Sequence, residues 1–209
     1  MNPWLEICLE DYEGHMAWPS VAQAQFLAES LASSVREIAP RSVAVLGCAG
    51  GNGFDLLPPD QVQRVVGVDI NPNYIAATEE RYQGRFAKLE LHCADVLSEG
   101  LHFEPVDFVF AGLLFEYVDP VKCLTNIKRM LNPGGHLVAV LQLPNASISA
   151  VTPTPFQSLG KLSGLITLHP PGEFEARARS LGFITETSKR SELGSGKAFH
   201  EFVFQNPTA

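Results

Sequence analysis

The sequence of 209 residues predicts an α/β fold with a doubly wound sheet of seven strands, mostly parallel and ending in an antiparallel hairpin. Short, almost wholly apolar runs such as "SVAVLG" and "RVVGVDI" are typical of strands buried on both faces of a parallel sheet. These runs alternate with segments of helical periodicity, so helices are expected on both faces of the sheet. The last two β-rich runs, "FITETSKRSEL" and "KAFHEFVF", are joined across "GSG" and predict the hairpin.

The other elements follow in order along the chain. "PSVAQAQFLAESLASSVREIAP" predicts the first helix, with Ser20 as N-cap and Gln23 as its capping-box partner. After the second strand, "NPNYIAATEERYQG" predicts a helix that is capped by Asn71 and ends before Gly84. "KLELHCAD" and "VDFVFAG" are the third and fourth strands. A helix capped by Asp119 then leads through an "NPGG" turn into the fifth strand, "HLVAVLQL", and "EFEARARSLG" predicts the last helix.

One long stretch interrupts this alternation. Residues 143–172 are rich in Ser, Thr, Pro and Gly, and a loop of this length in a compact domain is typical of a lid or a substrate loop. We expect a single domain over residues 1–209. Within it, 1–40 is an N-terminal segment and helix, 41–142 is the ligand-binding core, and 173–209 is a helix with the terminal hairpin.

Composition excludes several classes of protein. The net charge is −8 and the basic residues are scattered, which argues against a nucleic-acid surface. No apolar run reaches the roughly 20 residues that span a bilayer, and the N-terminus has no signal-peptide pattern, so a cytoplasmic protein is expected. The four cysteines, Cys8, Cys48, Cys93 and Cys123, are too far apart to predict a metal site.

The loop after the first strand, in "VAVLGCAGGNGFD", consists at its centre of glycines and other small residues. Glycines such as Gly47, Gly51 and Gly53 let a ligand approach the backbone, and a helix after the loop is expected to add free N–H groups. Asp69 lies 22 residues after Gly47, at the end of the second strand, where a carboxylate can accept hydrogen bonds from two ribose hydroxyls. Asp95 follows the third strand and can accept from an adenine amino group. These positions predict a pocket for an adenosine-containing ligand at the carboxyl ends of the strands.

The sequence of this loop narrows the class of ligand that it is expected to bind. "GCAGGNG" lacks the second glycine of the dinucleotide pattern, since Ala49 stands there. It resembles motif I of the class I S-adenosylmethionine-dependent methyltransferases, G-x-G-x-G. Asp69 after "VVGV", Asp95 in "HCADV", "VDFVFAG", "MLNPGGHLVAV" and the terminal hairpin resemble the same family, so the resemblance covers about residues 40 to 205. It implies a Rossmann-like sheet and S-adenosylmethionine as cofactor.

The resemblance also implies a set of site residues. "DYEGHM" resembles an N-terminal segment of small bacterial methyltransferases that can close over the methyl donor, although ordinary packing is an alternative. Asp69 and Asp95 have the alternative of capping a helix, and Glu116 is either a solvated helix residue or a ligand contact. The implied cofactor contacts are Tyr12, Gly47, Cys48, Ala49, Gly51, Asn52, Asp69, Ile70, Asp95, Val96 and Ala111.

The implied reaction is in-line displacement at a methyl carbon, for which a protein chiefly aligns the nucleophile and excludes water. A base is needed only when the acceptor must lose a proton. His15 is the first candidate because its ordinary pKa is near neutrality, and His169 is the second. "AGLL" after the fourth strand differs from the [DN]-P-P-[YF] of adenine and glutamine N-methyltransferases, and Ala111 and Gly112 offer no metal ligand. A metal-independent enzyme acting on a small molecule is therefore expected; a protein substrate stays open.

Two other classes of protein are alternatives. A nicotinamide-dependent oxidoreductase requires the missing second glycine and usually ends its sheet without an antiparallel hairpin. A non-catalytic adenosine-ligand binder keeps the glycine loop but loses the acceptor cavity. The sequence assigns neither the acceptor nor the oligomeric state.

Overall fold

A computed structural model describes residues 2–145 and 149–208. In this part of the chain, seven strands form one sheet in the order β3-β2-β1-β4-β5-β7-β6. The first five strands are parallel, and β7 runs antiparallel to both of its neighbours, β5 and β6. The predicted fold class is confirmed. The strands are β1 (Ser42–Leu46), β2 (Arg64–Asp69), β3 (Lys88–Cys93), β4 (Val106–Gly112), β5 (Leu131–Gln142), β6 (Ile184–Glu192) and β7 (Ala198–Gln205).

Helices cover both faces of this sheet. Two of the predicted caps are present: the Asn71 side chain accepts a hydrogen bond from the Asn73 N–H, and the Asp119 side chain accepts from the Lys122 N–H. None of the helices in the described ranges is long and apolar enough to cross a membrane. The α-helices are α1 (Leu9–Ala17), α2 (Gln23–Ile38), α3 (Pro72–Tyr82), α4 (Pro120–Met130) and α5 (Pro171–Ser180), and 3-10 helices span Pro3–Glu6, Phe54–Leu56 and Gln157–Gly164.

The N-terminal region differs from the prediction in two ways. The segment "DYEGHM" lies inside helix α1, although its sequence is short and polar. Leu9 and Met16 are buried, so docking on the domain stabilises a helix that local propensity alone does not indicate. Ser20 is not an N-cap. The N–H groups of Val21 and Ala22 both bond to the Trp18 carbonyl, and this turn delays the start of α2 to Gln23.

The connection from β1 to β2 contains no α-helix, so the predicted helix after the glycine loop is wrong. Pro58 and Pro59 explain its absence, because proline lacks an N–H and disfavours helical geometry in the residue before it. Only the 3-10 turn Phe54–Leu56 forms. Phe54, Leu57 and Val62 are buried there against apolar residues of α2 and β1, and they cover the sheet in place of a helix.

The "NPGG" segment belongs to strand β5 and is not a separate turn before it. Asn206, just past β7, exchanges backbone hydrogen bonds with Gly134 and Gly135 at 2.7 and 2.8 Å. Its side-chain amide also donates to the carbonyls of Leu131 and Asn132. The residue after β7 therefore extends the sheet along the "NPGG" segment, which the sequence pattern alone assigns to a turn.

Much of the bare glycine loop packs against protein. Gly53 has a φ of +83°, and a Cβ built on it would lie 3.0 Å from the Cα of Ala28 on α2. Gly51 has a φ of +81°, and its Cβ would lie 2.5 Å from the Tyr82 ring. Glycine is required at these two positions by backbone geometry and by neighbouring protein atoms, whereas ligand approach was the predicted reason.

Gly53→Ala tests this account of the loop, with Gly84→Ala as the matched control. Gly84 has a similar φ of +78° but nothing within 4 Å of a built Cβ. Both variants incur the left-handed strain of roughly 1–2 kcal/mol, and only Gly53→Ala adds crowding against α2. We expect the free energy of unfolding, measured by urea denaturation, to fall more for Gly53→Ala. Equal losses would contradict close packing between the loop and α2.

Candidate functional site

A large cavity lies at the carboxyl ends of the parallel strands. Gly47 after β1, Asp69 at the end of β2 and Gly112 at the end of β4 contribute to its walls. Helix α1 contributes Tyr12 and His15. The cavity thus occupies the edge where a doubly wound sheet binds its ligands.

Most of the predicted site residues come together in this cavity. Ala49, which stands where the family pattern has its middle glycine, has a left-handed φ of 47° and lines the wall. The predicted residues found in the lining are Tyr12, His15, Gly47, Ala49, Asp69, Ile70, Asp95 and Val96.

Four predicted cofactor contacts lie elsewhere. Cys48 is buried in the core, with its Sγ 3.1 Å from where a Cβ on Gly67 would stand. The Asn52 amide donates to the Ala24 carbonyl on α2. Ala111 is fully buried within β4. Gly51 faces Tyr82, as described above, so a side chain there meets protein and not a ligand. Side chains alternate between the two faces of the sheet along β4, and this alternation directs Ala111 away from the cavity. The tight glycine loop directs the other three residues away from it.

Asp69 holds the backbone at the end of β2. One carboxylate oxygen accepts from the Ala49 N–H and the other from the Asn71 N–H, both at 2.9 Å. Burial raises the pKa of Asp69, and these backbone hydrogen bonds oppose the rise. Asn71 performs the capping of α3, so Asp69 is not the cap. Since each carboxylate oxygen accepts up to two hydrogen bonds, Asp69 retains capacity for ligand hydroxyls.

Asp95 is exposed at the cavity rim, where its Oδ1 accepts from the Leu97 N–H at 2.8 Å. No helix begins between β3 and β4, a stretch that is described throughout, so the alternative of an ordinary helix cap is wrong.

His15 is buried, and its Nδ1 is hydrogen-bonded to Thr154 Oγ1 at 2.9 Å. Burial, together with the positive charge of Lys197, lowers the pKa of His15 to about 4. The reason for choosing His15 as base, a pKa near neutrality, is therefore wrong. His169, the second candidate, is hydrogen-bonded through Nε2 to the Phe115 carbonyl and does not line the cavity.

Glu116 is the carboxyl group whose position the sequence left open. It is 2% exposed, lies in the turn after β4 and lines the cavity. Its Oε1 accepts from the Gln142 N–H at 2.6 Å, while its Oε2 has no hydrogen-bond partner among the described residues. Burial raises the pKa of Glu116 to about 7. A glutamate inside the apolar run "GLLFEYV", directly after a central strand, was the available signal.

Three further polar residues line the cavity and were missed. The Gln23 amide donates to Gln142 Oε1 at 3.1 Å, and the Gln142 amide donates to the Ala150 carbonyl at 2.9 Å. Lys197, 3% exposed at the end of the β6–β7 turn, donates to the same carbonyl at 3.0 Å. Burial lowers the pKa of Lys197 to about 8. No local pattern marks these residues, because each belongs to a different element.

Part of the predicted lid, 143–172, packs against α1 and lines the cavity. Residues 146–148 of this stretch fall outside the described residues. Phe156 packs on Gly14 of α1, and Leu159 and Leu162 of the 3-10 helix Gln157–Gly164 form a buried cluster with Ile7. The N-terminal segment and this stretch therefore cover the cavity together.

These features define a class of protein. A doubly wound sheet with a terminal antiparallel hairpin, a cavity at the strand ends, and acidic residues at the end of β2 and after β3 are the features of a Rossmann-like domain that binds its ligand at this edge.

Comparison with known families points to one family. Residues 44–139 match the family described as "Methyltransferase domain". This match, over less than half of the chain, agrees with the family that the sequence predicted.

Two curated proteins named trans-aconitate 2-methyltransferase, from Rhodopseudomonas palustris strains BisB5 and BisB18, are 33% identical to this chain over 124 and 111 residues. The matches cover 56% and 51% of this chain but only 44% and 40% of those proteins. The chain thus matches less than half the length of these relatives.

Solved structures share the fold. The N-methyltransferase NodS from Bradyrhizobium japonicum WM9, in complex with S-adenosyl-L-homocysteine, has a TM-score of 0.68 at 18% identity, over 90% of this chain and 88% of that chain. The [4+2]-cyclase SpnF has a TM-score of 0.67 at 13% identity, over 87% and 82%. At such identities the likeness concerns the fold alone.

The buried carboxyl of Glu116 gives stability a specific pH dependence. Its folded-state pKa of about 7 lies above the ordinary 4.5, so between these values the folded state holds a proton that the unfolded state releases. Stability is therefore lost as pH rises through this window, by about 3 kcal/mol in all. We expect Glu116→Gln to gain stability over the wild type between pH 4.5 and 7.5, measured by urea denaturation. Glu37→Gln, at an exposed position on α2, is the control. A stability difference independent of pH would contradict the raised pKa.

Proposed function

We propose that this protein transfers a methyl group from S-adenosylmethionine to a small-molecule acceptor held in the cavity. The observation that carries the proposal is that one cavity is lined both by Gly47, Asp69 and Asp95 and by Glu116 and Lys197. We assign the first group to an adenosine-binding end of the cavity and the second group to an acceptor end. A non-catalytic binder requires only the first end. The family match and the cover formed by α1 and residues 149–172 support the same function.

The residues at the first end suit the cofactor. Gly47 and Ala49 present backbone with little side chain. We assign Asp69 to the ribose hydroxyls and Asp95 to the adenine amino group, and Ile70 and Val96 supply apolar contact. Tyr12 also lines the cavity; burial and the charge of Asp69 raise its pKa, so its hydroxyl stays protonated and can donate. When bound, S-adenosylmethionine supplies a methyl group on a positively charged sulfonium.

At the second end, Glu116 is the residue that we assign to proton transfer. Glu116 lines the cavity, its buried Oε2 has no hydrogen-bond partner among the described residues, and its pKa of about 7 suits a base at neutral pH. S-adenosylmethionine would supply the methyl carbon to a lone pair of the acceptor, and the carbon–sulfur electron pair would leave on sulfur. The acceptor's proton passes to Glu116 Oε2. His15 is the weaker candidate, because its pKa of about 4 makes it a poor base.

The cover of the cavity has a part in the same scheme. Apolar side chains from Val151, Leu159 and Leu162 line the cavity from the side of residues 149–172. They exclude water from the acceptor end, which strengthens polar contacts inside and prevents competing hydrolysis. The fold alone does not fix methyl transfer, since a cyclase shares it. For that reason the proposal is based on the residues that line the cavity and not on the fold.

Ligand binding tests the cofactor end. S-adenosylhomocysteine is expected to raise the melting temperature of the full chain with dose, because it binds the native state only. NAD, the matched control for the oxidoreductase alternative, is expected to leave it unchanged. The opposite pattern would overturn the proposed ligand. Transfer of labelled methyl groups to a metabolite extract, with trans-aconitate as a defined candidate acceptor, then separates an enzyme from a binder.

Once an acceptor is found, Glu116→Gln tests the base. We expect kcat to fall about 10²–10⁴-fold while affinity for S-adenosylhomocysteine is retained. In the wild type, kcat rises with pH through about 7 as Glu116 loses its proton, and this limb disappears in the variant. His15→Asn is the parallel variant, with a smaller expected loss. An unchanged kcat in Glu116→Gln would show that Glu116 takes no proton.

A further inference from the structure

Lys197 is a buried cation without a counter-charge. It directly precedes β7, is 3% exposed and lines the cavity. Its Nζ donates to the Ala150 carbonyl, and it forms no ion pair with any residue in 2–145 or 149–208. Buried charges are normally paired, since leaving water without a partner is costly. Its pKa of about 8 keeps most of the ammonium charged at neutral pH.

The groups around Lys197 leave room for an anion. An ammonium has three N–H donors, and the Ala150 carbonyl takes only one of them. The Gln142 side-chain amide donates to the same carbonyl and so lies beside the ammonium, and Gln23 is hydrogen-bonded to Gln142. His15 is close enough for the charge of Lys197 to lower its pKa. The nearby Glu116 is held instead by the Gln142 backbone N–H.

We infer that Lys197 binds a carboxylate of the methyl acceptor, so that the substrate is a small organic acid. This inference rests on the proposed function, because it assigns the second end of the same cavity. One ammonium neutralises one negative charge, and no arginine lines the cavity within the described residues. A carboxylate suits that charge better than a phosphate dianion does. Val151, Leu162 and Ile166 border the cavity and suit a compact carbon skeleton.

Glu116 and Lys197 then have separate tasks on one acceptor. Gln142 links them, because its backbone N–H holds Glu116 and its side chain shares the Ala150 carbonyl with Lys197. Lys197 anchors the acid group and selects the substrate. Glu116 lies at a different part of the wall and faces the atom that gains the methyl group. The acceptor is thus an acid that carries a second group with an O–H or N–H.

Matched pairs of probes test the inference on the full chain saturated with S-adenosylhomocysteine. Butyrate is compared with butyramide, benzoate with benzamide, and inorganic phosphate serves as a third arm. Isothermal titration is expected to show at least one carboxylate binding about tenfold or more tightly than its amide, as for a hydrogen bond to a charged group. Lys197→Met removes the ammonium with little change in volume, and we expect it to abolish that preference. Lys122→Met, exposed on α4, is the control and keeps it.

The outcomes are distinct. The inference is overturned if no carboxylate exceeds its amide in the wild type, or if the preference survives in Lys197→Met. If phosphate is the only probe that binds, and Lys197→Met abolishes that binding, the inference is wrong about the class of anion. Affinity for S-adenosylhomocysteine, measured first on each variant, shows that the variant is folded, and Lys197→Gln is used if Lys197→Met fails this check. Absent binding of S-adenosylhomocysteine by the wild type contradicts the proposed function, and the probe pairs are then compared on the free protein.

Discussion

The carboxylate of Asp69 is the interaction on which the rest of the site depends. By accepting the N–H groups of Ala49 and Asn71, it joins the loop after β1 to the start of α3. Because β1 and β2 are neighbouring parallel strands that end at this edge, the shared acceptor holds together the connections that follow them. The carboxylate is buried, so each of these hydrogen bonds replaces one that water would have made.

The same junction fixes the N-terminal segment. The Asn71 amide, whose backbone is bonded to Asp69, donates to the carbonyls of Trp4 and Ile7, and the Tyr74 hydroxyl also donates to Ile7. Thr78 donates to the Ala49 carbonyl from the other side of the loop. Through these contacts, a residue at the end of a strand positions both the floor of the cavity and the helix that covers it.

Burial sets the chemistry at the other end of the cavity. The same desolvation that raises the pKa of Glu116 to about 7 lowers that of His15 to about 4 and that of Lys197 to about 8, because in each case it disfavours the charged form. At neutral pH the wall therefore holds a neutral imidazole, a mostly charged ammonium and a carboxyl group near the midpoint of its titration. A cyclase shares this fold, so the fold alone does not set the chemistry and these side chains must do so.

The sequence by itself determined the sheet, the antiparallel hairpin and the positions of Asp69 and Asp95, because strand burial and motif order are local properties of the chain. Only the tertiary structure decided which loop residues face the cavity: Gly51 and Gly53 are required by Tyr82 and α2, and two prolines removed the expected helix. It also decided that His15 is a poor base, that Glu116 is buried and that Lys197 belongs to the site. The physical reason is that a pKa depends on desolvation and on partners distant in sequence, such as Thr154 for His15 and Gln142 for Glu116. No periodicity in the chain encodes those contacts.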